Sequence, residues 1–423
     1  MTTLTRRPRS GLAALRGLLD RPLASYFLLL ASAGLLLIIG LVMVFSATMV
    51  RAYELEGNAF SAILRQSLWA LVGLVAFWIA QRLPVRTYRR VGRPMLVVTG
   101  LLLTVLMIVP NSGGAAFGTA EGHWIAVGQF QFQPSELMKL AFLLYAAGLL
   151  AKTGPKVGLW RELAVPLFPV AAVVFLLVGY SDLGTMLCLV AMFFGLLWVA
   201  GVRLRVFGAM LSAAFAGVIV LVLVASYRME RFISFRNPEE YASDWGYQAV
   251  QGYYAIATGG WFGVGLGESR QKWEWLPNGH NDFIFALIAE ELGVVGCGVV
   301  VILFMVLTYS GMRIAARVDD PFRRLAAAGL TTWISIQAVI NVGGVVGLLP
   351  ITGLPLPLIS DGGTALVVVL AALGMLASFA RAEPDAARAL RARNPGRWVR
   401  LLWAPLPPKP QPAKTGKTRR NET

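Results

Sequence analysis

The sequence predicts an all-α integral membrane protein with ten transmembrane helices. Its 423 residues are 57% hydrophobic and only 14% charged, and the mean hydropathy is +0.66. A water-soluble domain of this length does not need so apolar a composition. A helix needs about 20 apolar residues to cross the hydrocarbon core. Ten such runs follow one another along the chain, at 24–46, 63–81, 94–110, 135–151, 163–179, 183–201, 205–226, 283–310, 325–346 and 363–380.

The placement of basic residues supports ten spans and sets their orientation. If the N-terminus is cytoplasmic, ten spans return the C-terminus to the same side. Most of the 38 Lys and Arg residues then lie in cytoplasmic segments, as the positive-inside rule requires. The net charge of +16 is therefore predicted to reflect topology, and no nucleic-acid partner is expected. We expect a multi-pass membrane protein with both termini in the cytoplasm.

Composition divides the chain into a basic N-terminus at 1–23, one membrane domain at 24–381 and a cytoplasmic tail at 382–423. The first apolar run is too long for a signal-peptide core, so we interpret it as a retained helix. The first part of the tail is either a basic amphipathic segment on anionic lipid or a solvated extension. Its Pro/Lys-rich end is predicted to be disordered.

Three connections outside the spans are long or irregular enough to carry function. The largest, at 227–282 between the seventh and eighth spans, is rich in Trp, Tyr and Phe, which settle at membrane interfaces. We expect it to lie on the outer face, with a short helix near 248–257 and a Gly-rich turn. A shorter external loop occupies 111–134. The Pro-rich segment 347–363 cannot form one regular helix, so it either lines a cavity at membrane depth or is an ordinary external loop.

Ionisable residues beside apolar runs are the strongest functional signal, because they are costly in hydrocarbon. Asp282 opens the eighth span, and Asp182 lies between the fifth and sixth spans. Glu136 and Lys139 stand three residues apart at the start of the fourth span, close enough to pair on a helix. All four fall at the external ends of their spans. This placement predicts a polar cavity open to the outer leaflet, as in a transporter, a channel mouth or a lipid-using enzyme.

Each of these residues also has a structural interpretation. The Glu136–Lys139 pair could serve only as an ion pair, and the two aspartates could cap the helices that follow them. Glu290, deeper in the eighth span, is expected to bond to neighbouring helices rather than to do chemistry, and Glu290 and Glu291 together are expected to hold the wall of the cavity. The two histidines are either proton carriers or interfacial hydrogen-bonding groups; they are His123 and His280.

No nucleotide-binding loop, dinucleotide fingerprint or Cys/His metal spacing occurs in the sequence. Cys188 and Cys297 lie in predicted spans and are expected to be buried thiols without a disulfide. Soluble nucleotide-dependent and zinc-dependent classes of enzyme are therefore not indicated.

Six motifs follow one another along the predicted membrane domain: FQPSELMKL, SDLGT, GYQAVQ, GVGLG, LPNGHNDFIFALIAEELG and GLLPITGLPLPLISDGG. In this order and spacing, over about residues 25–380, they resemble the SEDS family of bacterial morphogenesis proteins, which includes FtsW and RodA. The resemblance implies the ten-helix SEDS fold and a peptidoglycan glycosyltransferase that polymerises lipid II on the outer face. It also implies an FtsI-like class B penicillin-binding protein as partner.

Within the family, the ISDGGTA form and the long basic tail favour the FtsW-type division branch. That branch implies the division septum and other divisome proteins, with RodA-type elongation as the alternative. By position, Asp282 matches the family's catalytic aspartate, Glu136 and Lys139 match its functional pair, and Asp182 matches an acidic motif residue. The departures from the family pattern are Asn278, Asn281, Tyr180–Ser181, Gly122–His123 and Asp361.

The reaction assigns roles to these residues. Asp282 is predicted to be the base that removes a proton from the attacking sugar hydroxyl. Lys139, held by Glu136, would stabilise phosphate or orient Asp282. A divalent cation, Mg²⁺ or Mn²⁺, could bridge Asp282 and pyrophosphate, although no cofactor is certain. Further candidates for substrate contact are Arg228, Arg231, Arg270, Lys272, His280 and Ser360.

Two other functions would use a similar cavity. A lipid II flippase would carry its site near the midplane of the membrane, whereas the acids here cluster on the outer side. A scaffold that only recruits its partner would not need Asp282 at all.

Overall fold

A computed structural model describes residues 17, 20–108, 124–127, 130–154, 165–224, 226–244, 246–393 and 396–407. Within these residues the regular secondary structure is helical apart from one short hairpin. The elements in chain order are α1 (Ala24–Glu56), α2 (Ser61–Arg82), α3 (Val85–Ile108), β1 (Ile125–Val127), β2 (Phe130–Phe132), α4 (Pro134–Thr153), α5 (Phe168–Ser181), α6 (Leu183–Ala200), α7 (Leu204–Val224), α8 (Ser226–Arg236), α9 (Tyr247–Gly259), α10 (Ile284–Arg317), α11 (Pro321–Val345), α12 (Gly363–Arg381), α13 (Pro384–Arg393) and α14 (Arg397–Leu402).

Each predicted span corresponds to a helix, namely α1 to α7 and α10 to α12. In the part of the chain that the structure describes, 9 of these helices are long and apolar enough to cross a membrane. The exception is α5, which has 14 residues. The all-α, multi-pass membrane architecture is therefore confirmed, while the exact number of ten spans stays a prediction.

Glycines allow the helices to approach at close range. A Cβ added at Gly374 of α12 would lie 2.3 Å from the carbonyl oxygen of Phe77 in α2. A Cβ at Gly92 of α3 would lie 3.0 Å from the backbone of Leu144 in α4. Lipid is as apolar as the side chains, so packing rather than water exclusion holds membrane helices together. The α7 helix is peripheral, because none of its apolar stretch Leu204–Leu223 is buried.

The α10 helix is interrupted at Gly293, whose φ of 68° and ψ of −167° are not helical. The Gly-rich loop after α9 enters this break. Val264 donates its N–H to the carbonyl of Glu290 at 2.9 Å, and Val294 donates to Gly260 at 3.0 Å. The loop amides thus satisfy carbonyls that the broken helix leaves free. The eighth span predicted at 283–310 corresponds to α10, and the apolar pattern of the sequence did not indicate its break at Gly293.

The break separates two environments along α10. The residues from Ile284 to Glu291 are all buried in protein, whereas Val294 and Val295 are 53% and 49% exposed. The stretch from Val294 to Arg317 is long enough by itself to cross the hydrocarbon, which needs about 20 residues. The first part of α10 is therefore enclosed by protein rather than by lipid, which removes the cost of placing acids there.

The two adjacent glutamates of α10 are both structural but have different partners. Glu291 accepts a hydrogen bond from the hydroxyl of Ser46 in α1 at 2.5 Å, which fits its expected role in holding the wall of the cavity. Glu290 instead accepts from the hydroxyl of Ser269 and from the backbone N–H of Arg270, the latter at 3.0 Å. For Glu290 the predicted helix partner is wrong, and the carboxylate anchors the loop that follows α9.

The loop at 227–282 contains α8 and α9, and the short helix predicted near 248–257 is confirmed by α9. In the other long loop, the described residues form an antiparallel hairpin that the sequence analysis did not predict. Its second strand is joined to the start of α12, where Thr364 donates its hydroxyl to the carbonyl of Gln131 at 3.0 Å. His123 lies outside the described residues.

The tail returns to the membrane domain after α14. The indole N–H of Trp403 donates to the hydroxyl of Tyr26 in α1 at 2.6 Å. The guanidinium of Arg381 donates to the carbonyls of Ala404 and Pro405 at 3.3 and 3.1 Å. Burial of this cation requires such partners. The interpretation of the whole tail as a solvated extension is therefore wrong for residues 403–405, and so is the predicted disorder for residues 404 and 405. Residues 408–423 lie outside the described part of the chain.

Candidate active site

Asp282 lies in a turn directly before α10. Asn278 has a φ of 52°, and its carbonyl accepts the N–H groups of Asn281 and Phe283 at 2.9 and 3.4 Å. The residue that caps α10 is Phe283, and no side chain caps this helix. The interpretation of Asp282 as a helix cap is therefore wrong.

Asp282 is 9% exposed and lines a narrow pocket between the start of α10, the end of α11 and the segment at 347–363. Gly353, with a φ of 74°, borders this pocket; a Cβ added there would lie 3.9 Å from the carboxylate oxygen Oδ2. The backbone of Asp282 is held by Asn341 of α11. Its side-chain amide donates to the carbonyls of Asp282 and Leu354, both at 2.7 Å.

The second half of the Pro-rich segment at 347–363 folds into the protein, whereas Leu348 near its start is 76% exposed. Leu354, Leu356 and Ile359 are 2%, 1% and 0% exposed. The interpretation as an ordinary external loop is therefore wrong, and the predicted buried segment is confirmed. Such irregular backbone is tolerated where protein surrounds it.

Ser360 joins this segment to the turn that carries Asp282. Its hydroxyl donates to the carbonyl of Asn281 at 2.6 Å and accepts the N–H of Leu356 at 2.7 Å. In addition, Asp361 donates its N–H to the carbonyl of His280 at 3.1 Å. The structure thus places Ser360 against the Asp282 turn, where its hydroxyl is engaged with the backbone.

Glu136 and Lys139 form an enclosed ion pair. The ammonium of Lys139 is 2.8 Å from Oε1 of Glu136 and donates to Oε1 of Gln337 at 2.9 Å. The Gln337 amide in turn donates to the carbonyl of Pro355 at 2.9 Å. The side chains of Lys139 and Glu136 are 0% and 1% exposed. Through Gln337 the pair is connected to the segment at 347–363. The predicted i, i+3 pairing is confirmed, and any effect on Asp282 passes through Gln337 and this segment.

Asp182 caps α6. Its carboxylate accepts the N–H of Thr185 at 2.9 Å and the hydroxyl of the same residue at 2.6 Å. The structural interpretation of Asp182 as an N-cap is confirmed. The cap also lies close to the segment at 347–363, because a Cβ added at Gly184 would be 2.7 Å from the carbonyl of Thr352. Asp182, the Glu136–Lys139 pair and Asp282 therefore all border one segment.

The predicted cationic residues of the large loop do not form one group. Arg270 is exposed, and its backbone N–H is bonded to Glu290. Lys272 is 7% exposed, and its ammonium donates to the carbonyl of Gly267. The side chains of Arg228 and Arg231 are outside those that the structure describes.

His280 and Asp361 form a partly buried pair beside the Asp282 turn. Burial lowers the pKa of His280, although the charge of Asp361 raises it. Burial raises the pKa of Asp361, and the charges of His280, Arg65 and Arg51 lower it. We therefore expect a neutral imidazole at pH 7 that faces a carboxylate and two guanidinium groups.

A divalent cation has few protein ligands in this site. Among the described residues, no group of three or more His, Cys, Asp or Glu side chains is arranged to hold a metal ion. Asp282 supplies one carboxylate, and Mg²⁺ sites of the kind that phosphate enzymes use take further oxygens from the substrate. The described side chains alone do not build a resident metal site here.

The sequence analysis missed Gln337 and Asn341, which connect the site from α11. They stand four residues apart in the sequence IQAVINVGG, within the ninth predicted span. Polar amides in a span usually find internal partners. This spacing puts both on one face of a helix, a signal that would have identified them.

Comparison with known proteins identifies the family of this chain. A family profile described as a cell cycle protein, with FtsW, RodA and SpoVE in its name, matches residues 26–384. The chain belongs to this family. A probable peptidoglycan glycosyltransferase FtsW from Mycobacterium tuberculosis is 45% identical over 402 residues, which are 95% of this chain and 76% of that protein. The stage V sporulation protein E of Bacillus subtilis is 39% identical over 349 residues, 82% of this chain and 94% of the relative.

Solved structures of the family share the fold. One is a chain of a peptidoglycan synthase complex that coordinates polymerization and crosslinking, with a TM-score of 0.67 and 27% identity over 84% of this chain and 96% of that one. Another is the rod shape determining protein RodA of Thermus thermophilus, with a TM-score of 0.59 and 25% identity over 84% and 96% of the two chains. These similarities confirm the predicted family and fold.

Proposed function

We propose that this chain is a peptidoglycan glycosyltransferase that polymerises lipid II during cell division. The observation that carries the proposal is the position of Asp282. It is a nearly buried carboxylate in a pocket, on a turn whose backbone is fixed by Asn341. The naming of the mycobacterial relative as a probable peptidoglycan glycosyltransferase FtsW supports the activity and the division branch. The RodA-type elongation role is the alternative within the family.

In this reaction the 4-hydroxyl of an acceptor GlcNAc attacks the anomeric carbon of a donor MurNAc. A bond forms between that oxygen and the anomeric carbon, and the bond from the carbon to the pyrophosphate oxygen breaks. Undecaprenyl pyrophosphate leaves with the electron pair. Attack from the opposite side inverts the anomeric centre from α to β. The hydroxyl proton passes to a base, and Asp282 is our candidate for that base.

Lys139 acts in this proposal as a positioning residue. Its ammonium is fully enclosed and bonded to Glu136 and Gln337. The side-chain amide of Gln337 donates to the carbonyl of Pro355. The neighbouring carbonyl, that of Leu354, accepts from Asn341. A buried ion pair contributes little net stability but is costly to break, at about 3–5 kcal/mol when one partner is removed. We therefore expect Lys139 to keep the segment at 347–363, and through it the turn at Asp282, in one conformation.

Phosphate stabilisation must come from other groups. Arg270 is the exposed cation of the loop among the sequence candidates that the structure describes, so it is the first residue to test for contact with pyrophosphate. A divalent cation held between Asp282 and the pyrophosphate would supply further charge stabilisation when bound. The carboxylate oxygens of Asp282 are the protein ligands that this would use.

The proposed protein works at the outer face of the plasma membrane, at the septum, with both termini in the cytoplasm. Its partner would be an FtsI-like class B penicillin-binding protein within the divisome. A solved relative belongs to a peptidoglycan synthase complex that couples polymerization to crosslinking, and the partner would supply the crosslinking. The distribution of basic residues supports the orientation.

The deciding experiment uses the purified full chain with its partner and fluorescent lipid II in detergent. We expect glycan strands from the wild type and none from Asp282→Asn, because an amide cannot accept the proton. Glu268→Gln is the matched control, since Glu268 is an exposed acid of the same loop. Detergent makes lipid II accessible without flipping, so a flippase or a scaffold would produce no glycan at all. Polymerisation by Asp282→Asn would exclude the base role.

A further inference from the structure

A second cavity adjoins the Asp282 pocket. It has a volume of about 210 Å³ and lies between the loop that carries α8 and α9 and the end of α11. Gly344 and Ile351 border both the cavity and the pocket of Asp282. A molecule in this cavity, which we call the α9 cavity, would therefore be next to the candidate base.

The lining of the α9 cavity combines flat aromatic rings with planar polar groups. Tyr247 and Tyr253 contribute rings, Gln248 an amide and Asp244 a carboxylate. Ligand sites typically join aromatic walls to a few polar groups that orient the ligand. A pyranose ring has an apolar C–H face that packs on aromatic rings, and its hydroxyls pair with amide and carboxylate oxygens. This chemistry fits a sugar better than a lipid chain.

The cavity is also held in shape. The amide of Gln248 donates to the carbonyl of Pro277 at 3.0 Å, which fixes the direction of its carbonyl oxygen. Gly347 has a φ of 75°, and a Cβ added there would lie 2.4 Å from the hydroxyl of Tyr253. The ring of Tyr253 thus packs directly on the chain after α11. A site built before the ligand arrives loses less entropy on binding.

Size and position select the ligand. The cavity is smaller than the roughly 300–1,000 Å³ of pockets for drug-sized ligands, which suits a single sugar ring. In the proposed reaction the base contacts only the acceptor, through the 4-hydroxyl of its GlcNAc. This direct contact favours the acceptor, rather than the donor, as the ring bound beside Asp282.

We propose that the α9 cavity binds the GlcNAc ring of the acceptor lipid II, with the faces of Tyr247 and Tyr253 against the ring. The carboxylate of Asp244 and the amide of Gln248 pair with its hydroxyl and acetamido groups. This inference rests on the proposed glycosyltransferase function and on Asp282 as its base. It assigns the specificity for the incoming sugar to the large loop.

The test separates acceptor from donor. Lipid II whose GlcNAc 4-hydroxyl is capped with galactose can act as donor but not as acceptor. In one series of initial rates, the labelled, capped lipid II is the donor at a fixed concentration and the concentration of unlabelled lipid II, the acceptor, is varied. In the second series the acceptor concentration is fixed and the donor concentration is varied. The variants are Asp244→Asn and Tyr247→Leu, with Tyr247→Phe to keep the ring. Glu239→Gln is the matched control, an exposed acid in the same loop that does not line the cavity.

We expect Asp244→Asn to raise the acceptor KM by about tenfold, because the variant loses one hydrogen bond to a charged group. The donor KM and kcat should stay near wild type. Tyr247→Leu should raise the acceptor KM as well, and Tyr247→Phe should restore most of it. If Tyr247→Leu does not fold, the Asp244→Asn result decides.

Two outcomes would overturn the inference while the glycosyltransferase function stands. One is an unchanged acceptor KM in folded Asp244→Asn when Asp282→Asn is inactive. The other is a rise confined to the donor KM, which would give the cavity to the donor sugar. Failure of the proposed function itself is seen separately, as polymerisation that survives Asp282→Asn.

Discussion

Replacing Asn341 with aspartate is expected to inactivate the enzyme without changing any group that touches substrate. The side-chain amide of Asn341 donates two hydrogen bonds of 2.7 Å, to the carbonyls of Asp282 and Leu354. Aspartate has the same shape but presents acceptors in place of these donors. Two buried carbonyls then face a carboxylate, and the turn at Asp282 must move to relieve the repulsion.

The magnitude follows from the two bonds. A buried carbonyl left without a partner costs about 1–3 kcal/mol, so the two together cost about 2–6 kcal/mol. Because the turn at Asp282 can shift more easily than α11, much of this cost should appear as displacement of the base. A displacement of about 1 Å can reduce a rate by about 100-fold. We therefore expect kcat for lipid II polymerisation to fall by about two orders of magnitude.

The assay is glycan synthesis by the purified chain with its partner, together with thermal unfolding in the same detergent. Thr331→Val is the matched control. Thr331 is a fully buried polar residue of the same helix, and its hydroxyl donates only within that helix, to Ala327 at 2.7 Å. The control should lose some stability and keep its activity. A folded Asn341→Asp protein with wild-type kcat would refute the positioning role.

Three further outcomes test other parts of the structure. Burial lowers the pKa of His280 below 6.5, so the folded state binds fewer protons than the unfolded state, and stability is lost as the pH falls from 6.5 toward the folded pKa. Between pH 7.5 and 5.5, His280→Gln should therefore lose less thermal stability than the wild type. Thermal unfolding in detergent measures this difference, and an equal loss in both proteins would contradict the prediction. Gly293→Ala should destabilise the protein strongly, because φ is 68° and an added Cβ would lie 2.5 Å from the backbone of the inserted loop. Gly298→Ala is the control and should not destabilise it, because an added Cβ there has nothing within 4 Å. Equal melting temperatures of the two variants would contradict the break in α10. Tyr26→Phe removes the hydroxyl that accepts a hydrogen bond from Trp403, and each lost bond should weaken the docking of the tail by about 0.5–1.5 kcal/mol. Limited proteolysis should then cleave the tail faster. An unchanged cleavage rate would show that docking of the tail does not depend on the Tyr26 hydroxyl.

Most of the architecture could be predicted because it depends on properties local to each segment. A run of about 20 apolar residues predicts a span wherever it packs, so the helices that became α1 to α4 were found near their observed positions. The bias of basic residues predicted an orientation in the same way. Local reasoning also identified Asp282, Glu136 and Lys139, because a charge beside an apolar run is costly unless it is used or paired.

The errors arose where distant parts of the chain meet. Asp282 was open to interpretation as a cap until the structure showed Phe283 in that position. Residue 403 was expected on lipid or in solvent and residues 404 and 405 in a disordered end, yet all three bind the ends of α1 and α12. The break at Gly293 depends on a loop some thirty residues earlier that supplies replacement hydrogen bonds. None of these contacts leaves a periodic signal in the sequence.

The sequence by itself therefore determined the class of protein, the number of apolar segments and the candidate catalytic acid. The reason is that the free energy of placing a residue in hydrocarbon depends mainly on the type of that residue and not on its tertiary contacts. Only the tertiary structure decided that the segment at 347–363 turns inward and gathers Asp182, the Glu136–Lys139 pair and Asp282 around it. The same holds for the amide of Asn341, which becomes a positioning group only when it meets the carbonyls of Asp282 and Leu354. A hydrogen bond between residues far apart in the chain exists only after packing brings donor and acceptor within reach.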